Sequence, residues 1–174
     1  RSTSFEERLT TTTDLMSKIF GAADAAAKAL ETYNKDVERV KAKGTTVGKG
    51  LVLMTSGGKV TAFGKGSRFG IIHDQLGIAP AIEDVEAATH GESISFELIS
   101  QSNPDWLFVV DRDAAIGESG QAAKEVLNTE LVTSTTAWTK NQVAYLDGQR
   151  WYIIGAGLHN APAMVDEVGK AIGA

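Results

Sequence analysis

Residues 103–117, NPDWLFVVDRDAAIG, constrain the fold more than any other stretch of the chain. After Pro104 comes an apolar run, Trp106, Leu107, Phe108, Val109 and Val110. It is too short for a helix and has a turn signal before it, so it reads as a strand buried on both faces, as in a parallel sheet. It stops at Asp111-Arg112-Asp113, which sets a permanent cation at the carboxyl end of a core strand. In open α/β sheets that end is where ligands bind. Two readings of Arg112 stand: a partner for the flanking Asp111 or Asp113, or a ligand-binding cation.

The remaining elements follow from pattern. Residues 4–20 read as a helix, with Ser4 and Glu7 as a capping box and Gly21 as its breaker. Residues 22–43 form the clearest helix, rich in alanine, with Asp36/Arg39 and Glu38/Lys41 pairs along it. Its length would be about 33 Å. Residues 50–55 and 59–63 read as strands joined by the hairpin turn Ser56-Gly57-Gly58. A glycine-rich loop, Gly64-Lys65-Gly66-Ser67-Arg68-Phe69-Gly70, leads into a short helix over 71–76. Residues 77–86 read as irregular, 93–100 as a capped helix, 121–127 as a helix, 143–146 as a strand, 147–152 as a turn and 162–172 as a closing helix. The alternation of strands and helices from residue 50 onward predicts an α/β layered lobe with a mostly parallel sheet flanked by helices and one hairpin, preceded by the long helix.

Composition narrows the function. The chain has 174 residues, 43% hydrophobic and 22% charged, within the ordinary range for a globular domain. A net charge of -5 provides no basic footprint for nucleic acid. There are no cysteines, hence no disulfide and no thiolate metal site. No stretch reaches the roughly 18 apolar residues of a membrane-spanning helix. The chain starts without methionine or an apolar signal core, as expected of a processed chain or one cut from something longer.

Four side chains in loops stand out as candidates for chemistry. Arg68 lies in the glycine-rich loop ahead of a helix, where backbone N–H groups favour anions and a guanidinium adds a fork of donors. The loop lacks the GxxxxGK[ST] phosphate spacing, so a surface arginine in a turn is an equal reading. Arg112 is the second candidate. His90, in Thr-His-Gly, is alone more often a hydrogen-bonded structural histidine than a ligand, and His73 and His159 read the same way. Tyr152, beside Trp151, is either core or a tyrosine whose tip reaches a pocket. No GxSxG elbow, HExxH pair or GxGxxG turn is present. Two arginines, a histidine and a tyrosine suit an anionic or metal-bearing ligand better than turnover.

Four ordered segments, TAFGKGSRFGIIHD (61–74), THGESIS (89–95), NPDWLFVVDRDAAIG (103–117) and YLDGQRWYIIGAGL (145–158), resemble the periplasmic catecholate-siderophore binding proteins of ABC transporters. This is the branch with the enterobactin, vibriobactin and petrobactin binders. The resemblance implies a two-lobed protein in which residues 1–46 are N-terminal helices that include the interlobe backbone helix, and 47–174 the C-terminal lobe. It implies a missing N-terminal lobe ahead of the chain and a periplasmic or lipid-anchored location. It also implies a ferric siderophore as ligand, with no other cofactor and no enzymatic activity. Carried over by position, Arg68 and Arg112 would contact catecholate oxygens. His90 and Tyr152 would complete the iron shell only for a tetradentate siderophore.

The turn Asp147-Gly148-Gln149-Arg150 departs from the proline-containing turn frequent in that family and adds a cation, Arg150, near the tyrosine. An inner-membrane ABC permease is the expected partner, docking on acidic residues with Glu83, Asp84 and Glu86 as candidates. A lone lobe is expected to bind more weakly than the whole protein, and to dimerise or swap domains through exposed apolar surface. Rival readings are the same scaffold with haem, a corrinoid or a hydroxamate as ligand, and a metal-dependent hydrolase using His90.

Overall fold

The computed structural model of the protein describes residues 5–85 and 90–174. The expected cap at Ser4, the docking candidate Glu86 and Thr89 of the Thr-His-Gly segment lie outside the described residues. Two helices lead, α1 (Phe5–Phe20) and α2 (Ala23–Gly44). The hairpin β1 (Lys49–Ser56) and β2 (Lys59–Phe63) follows, then α3 (Ile71–Asp74), β3 (Ala79–Pro80), β4 (Glu92–Ile94) and α4 (Phe96–Ser102). The core strand is β5 (Trp106–Asp111), followed by four single-turn helices, α5 (Arg112–Ala115), α6 (Ala123–Val126), α7 (Glu130–Thr133) and α8 (Thr136–Thr139). Strand β6 (Val143–Leu146), a π-helical turn (Gln149–Ile154) and α9 (Asn160–Ile172) complete the chain.

The strands form one sheet in the order β4-β2-β1-β5-β6, with β3 also paired to β1. Strands β1, β3, β5 and β6 are parallel, while β2 runs antiparallel to both β1 and β4. Register explains why β1 is apolar through Leu51–Met54 and β5 through Trp106–Val110. Val52, Phe108 and Val110 enter a core with Tyr33, Val40 and Met164. Leu51, Leu53, Leu107 and Val109 enter a second core with Ile99, Leu127 and Val132. Successive side chains alternate between faces, so a strand with a core on each side must be apolar throughout.

Helices α2, α3 and α9 cover the first face and α4, α6, α7 and α8 the second. Helix α2 lies against α9 so closely that a Cβ on Gly169 would sit 2.8 Å from Val40 Cγ2. The Asp36/Arg39 and Glu38/Lys41 pairs are present at 3.8 Å each, exposed and weakly stabilising. Phe5 and Leu9 anchor α1 in the first core, but Leu15, Met16, Ile19 and Phe20 on α1 and Ile153 and Ile154 beyond β6 remain exposed. Some of these side chains line a cavity of about 640 Å³ together with Arg8 and Thr12.

Three local expectations need correction. Residues 93 and 94 are not helical: Ser93 and Ile94 pair with Thr61 and Val60 in β4, and the helix starts after Ser95, whose hydroxyl caps it by accepting from Leu98 N–H at 3.2 Å. Cross-strand pairing at the sheet edge outcompetes the earlier serine as a cap. Residues 79–80, read as irregular, add a two-residue parallel bridge to β1. The expected turn over 147–152 is a wound segment, in which Asn160 Nδ2 donates to the carbonyls of Arg150 and Gly155 at 2.9 Å each.

Candidate functional site

Arg112 opens α5 immediately beyond the carboxyl end of β5. Asp111 fixes that turn, since its carboxylate accepts from Ala114 N–H at 3.0 Å and from Ala123 N–H at 2.8 Å. Asp111 is therefore a cap, and Arg112 Nη1 pairs instead with Asp113 at 3.3 Å and with Glu118 at 3.7 Å. The first sequence reading of Arg112, a partner for a flanking aspartate, holds at Asp113. Arg112 Nε also donates to the Tyr152 hydroxyl at 3.0 Å. Ser56, the last residue of β1, accepts from Arg112 Nη1 at 3.2 Å and donates to Asp113 at 3.0 Å. Asp113 further accepts from Gly57 N–H at 2.7 Å. Gly57 N–H, Ser56 and Arg112 all hold the Asp113 carboxyl below its ordinary pKa, the Gly57 N–H most strongly. The hydrogen bond to Tyr152 raises that of the Arg112 guanidinium.

Arg68 reaches the same tyrosine from the glycine-rich loop. Its Nη2 donates to the Tyr152 carbonyl at 2.7 Å, and its Cζ lies 4.7 Å from the Tyr152 ring centroid. The Cζ of Arg112 is 5.6 Å from that same centroid. The two guanidinium carbons are therefore no more than about 10 Å apart, the sum of their distances to one ring. Phe69 anchors the loop: it is buried, with its ring 4.5 Å from Phe63 and 6.2 Å from Trp151. Burial lowers the Arg68 pKa from its ordinary value; contacts with Tyr152 oppose that, and the charge of Arg8 on α1 adds to it. A guanidinium nonetheless stays protonated in proteins.

Tyr152 is held by the segment around it. Trp151 is buried and its indole N–H donates to Glu167 on α9 at 2.8 Å, while the other oxygen of Glu167 accepts from Asp147 N–H at 2.7 Å. Arg150, the extra cation beside the tyrosine, faces Asp147 and Glu167 at 3.8 Å each and is neutralised there.

His90 is exposed in the turn before β4. Its neighbour Gly91 is pressed on β2, where a Cβ would sit 2.9 Å from the Phe63 ring. Among the described residues no hydrogen bond or ring contact joins His90 to Arg68, Arg112 or Tyr152. His73 is structural, its Nδ1 bonded to the Ile78 carbonyl at 2.8 Å, and burial keeps its pKa low. His159 is exposed at the start of α9.

The structure thus brings Arg68, Arg112 and Tyr152 together and leaves His90 apart. Sequence reasoning did not assign Ser56 or Glu167 to this network. Ser56 was legible only as a hairpin residue, and Glu167 carried no signal, because its partners are set by how α9 crosses the sheet. Chemically, two cations flank an aromatic ring and a phenol oxygen, an arrangement suited to a planar anion with paired oxygens. Among the described residues no group of three or more His, Cys, Asp or Glu side chains is placed to hold a metal ion. No helix among them is long and apolar enough to cross a membrane.

Comparison with known proteins agrees with this architecture. The chain is 41% identical over 156 residues to the petrobactin-binding protein YclQ of Bacillus subtilis, a match covering 89% of this chain and 49% of YclQ. The YclQ crystal structure superposes with a TM-score of 0.88 at 39% identity, covering 91% of this chain and 56% of that one. The catecholate-siderophore binding protein VctP of Vibrio cholerae gives a TM-score of 0.82 at 29% identity, over 89% of this chain and 56% of that one. The chain spans about half the length of the curated relatives it matches. The model of the periplasmic binding protein family matches residues 1–150, and the chain belongs to that family.

Proposed function

We propose that this chain forms one wall of a non-enzymatic carrier that captures a ferric catecholate siderophore and hands it to an ABC permease. The observation that carries the reading is the convergence of Arg68 and Arg112 on Tyr152 from loops 44 residues apart in sequence, as the numbering shows. A ferric catecholate is anionic and presents paired oxygens at the rim of flat rings, which guanidinium forks match. The kinship with proteins named for petrobactin and catecholate siderophores supports the same ligand class. With a tetradentate siderophore, Tyr152 and His90 are the candidates to fill the two iron positions left open. His90 would have to swing toward the tyrosine, as its exposure permits. The long helix α2 is the candidate bridge to a preceding lobe, and Glu83 and Asp84, both exposed, are candidates for docking on the permease.

Titration of tryptophan fluorescence with a ferric catecholate tests the binding claim. Each charge-assisted hydrogen bond is worth about 1.5–3 kcal/mol, so Arg68→Ala or Arg112→Ala should weaken binding at least about tenfold. Unchanged affinity in both variants would refute the site.

A further inference from the structure

The charge around the two arginines is smaller than their number suggests. Arg112 meets two carboxylates, Asp113 at 3.3 Å and Glu118 at 3.7 Å. Asp113 is buried and locked in place by Ser56 and Gly57, so it cannot turn away when an anion arrives. Glu118 is more than half exposed. On the other side, Arg68 has the charge of Arg8 near it, and Arg150 is already paired with Asp147 and Glu167. An anion bound against Arg112 is therefore also repelled by the fixed charge of Asp113, whose carboxylate lies 3.3 Å from Nη1.

Resting on the siderophore reading above, we infer that Asp113 and Glu118 act as a charge filter, biasing the site toward ferric complexes of low negative charge and away from the trianionic tris-catecholates. Repulsion grows with ligand charge. A ferric bis-catecholate carries one negative charge and a ferric tris-catecholate three, so each carboxylate penalises the second complex more. Two additional charges about 8 Å from a carboxylate across water correspond to roughly a sixfold difference in affinity at low ionic strength. Salt reduces the difference, and more for exposed Glu118 than for buried Asp113.

The experiment titrates the full chain at low ionic strength with two probes, the ferric complexes of a synthetic bis-catecholamide and of a synthetic tris-catecholamide, reading tryptophan fluorescence. Asp113→Asn keeps an acceptor for Gly57 N–H and removes the charge. It should raise affinity for the tris complex about sixfold relative to the bis complex. Glu118→Gln, on the surface and harmless to folding, should shift the ratio in the same direction by a smaller factor, and added salt should shrink both shifts. If both probes bind and neither substitution changes the ratio, the filter is overturned while the carrier reading stands. An equal loss for both probes in Asp113→Asn with no change in Glu118→Gln marks Asp113 as a structural brace and also overturns the filter. If neither probe binds the unsubstituted chain, the carrier reading falls and the filter with it.

Discussion

Glu167 lies on α9, outside the trio of Arg68, Arg112 and Tyr152, yet it braces the stretch that leads into Tyr152. Its two carboxylate oxygens hold the Trp151 indole N–H at 2.8 Å and the Asp147 N–H at 2.7 Å, so one side chain braces the stretch from Asp147 to Trp151 that leads into the tyrosine. Glu167→Ala leaves the indole N–H of a buried tryptophan without its acceptor, a loss of about 1–3 kcal/mol. The Asp147 N–H is exposed and can turn to water, which limits its share to about 0.5–1 kcal/mol. The ion pair with Arg150 at 3.8 Å adds little. Together these predict destabilisation of about 2–3 kcal/mol, or a fall in Tm of about 5–10 °C for a chain of this size. Glu167→Gln keeps one acceptor oxygen and should lose about half as much. Urea denaturation followed by circular dichroism is the suitable assay, because Trp151 fluorescence responds to the substitution itself. Both variants should also weaken ligand binding, since Arg68 depends on the Tyr152 carbonyl and Arg112 on its hydroxyl. A shift below about 0.5 kcal/mol for Glu167→Ala would refute the brace.

Two further outcomes follow from named contacts. Gly169→Ala should destabilise by about 1 kcal/mol, because a Cβ 2.8 Å from Val40 Cγ2 costs about 1–3 kcal/mol in overpacking while alanine returns about 1 kcal/mol of helix propensity. A thermal melt checks it, and Val40→Ala in the same chain should make the two effects less than additive. The Asp113 carboxyl titrates below its ordinary range, so its stabilisation is fully present above the unfolded-state value of about 3.9 and is lost as pH falls through the lower folded value. The stability difference between the wild type and Asp113→Asn should therefore narrow as pH drops below about 4, and a difference independent of pH would contradict the network around Asp113.

How much of this is legible in the sequence depends on how far apart the interacting residues lie. Strands β1, β2, β5 and β6 and helices α1, α2 and α9 are readable because each imposes a pattern over its own length. An uninterrupted apolar run, for instance, is what a strand between two cores requires. Helices α5, α7 and α8 are not readable, since four residues carry no period. Asp111 caps α5, and α8 starts where Thr136 N–H reaches Asn103 Oδ1 at 2.8 Å, a contact between residues 33 positions apart. The misread stretch at Ser93 and Ile94 fails for the same reason, its conformation being set by β2 rather than by its own residues.

The site divides along the same line. Arg112 is legible because a cation directly after an apolar strand must emerge at the carboxyl end of the sheet. Arg68 is legible only as a donor in a loop, and nothing local shows that the loop folds back over the segment beyond β6. What aims it is Phe69: with that ring buried against Phe63 and Trp151, the backbone one residue earlier has to leave Arg68 over the Tyr152 ring. The aromatic contacts of the first core thus set the spacing of the two guanidinium groups. Asp113 and Glu118, the carboxylates beside Arg112, both follow β5, and the end of β1 contributes only the Ser56 and Gly57 contacts to Asp113. On the proposed reading, affinity and charge preference are therefore separable. A substitution in the Phe63–Phe69–Trp151 cluster should weaken every anion alike, whereas one at Asp113 or Glu118 should change which anion is preferred.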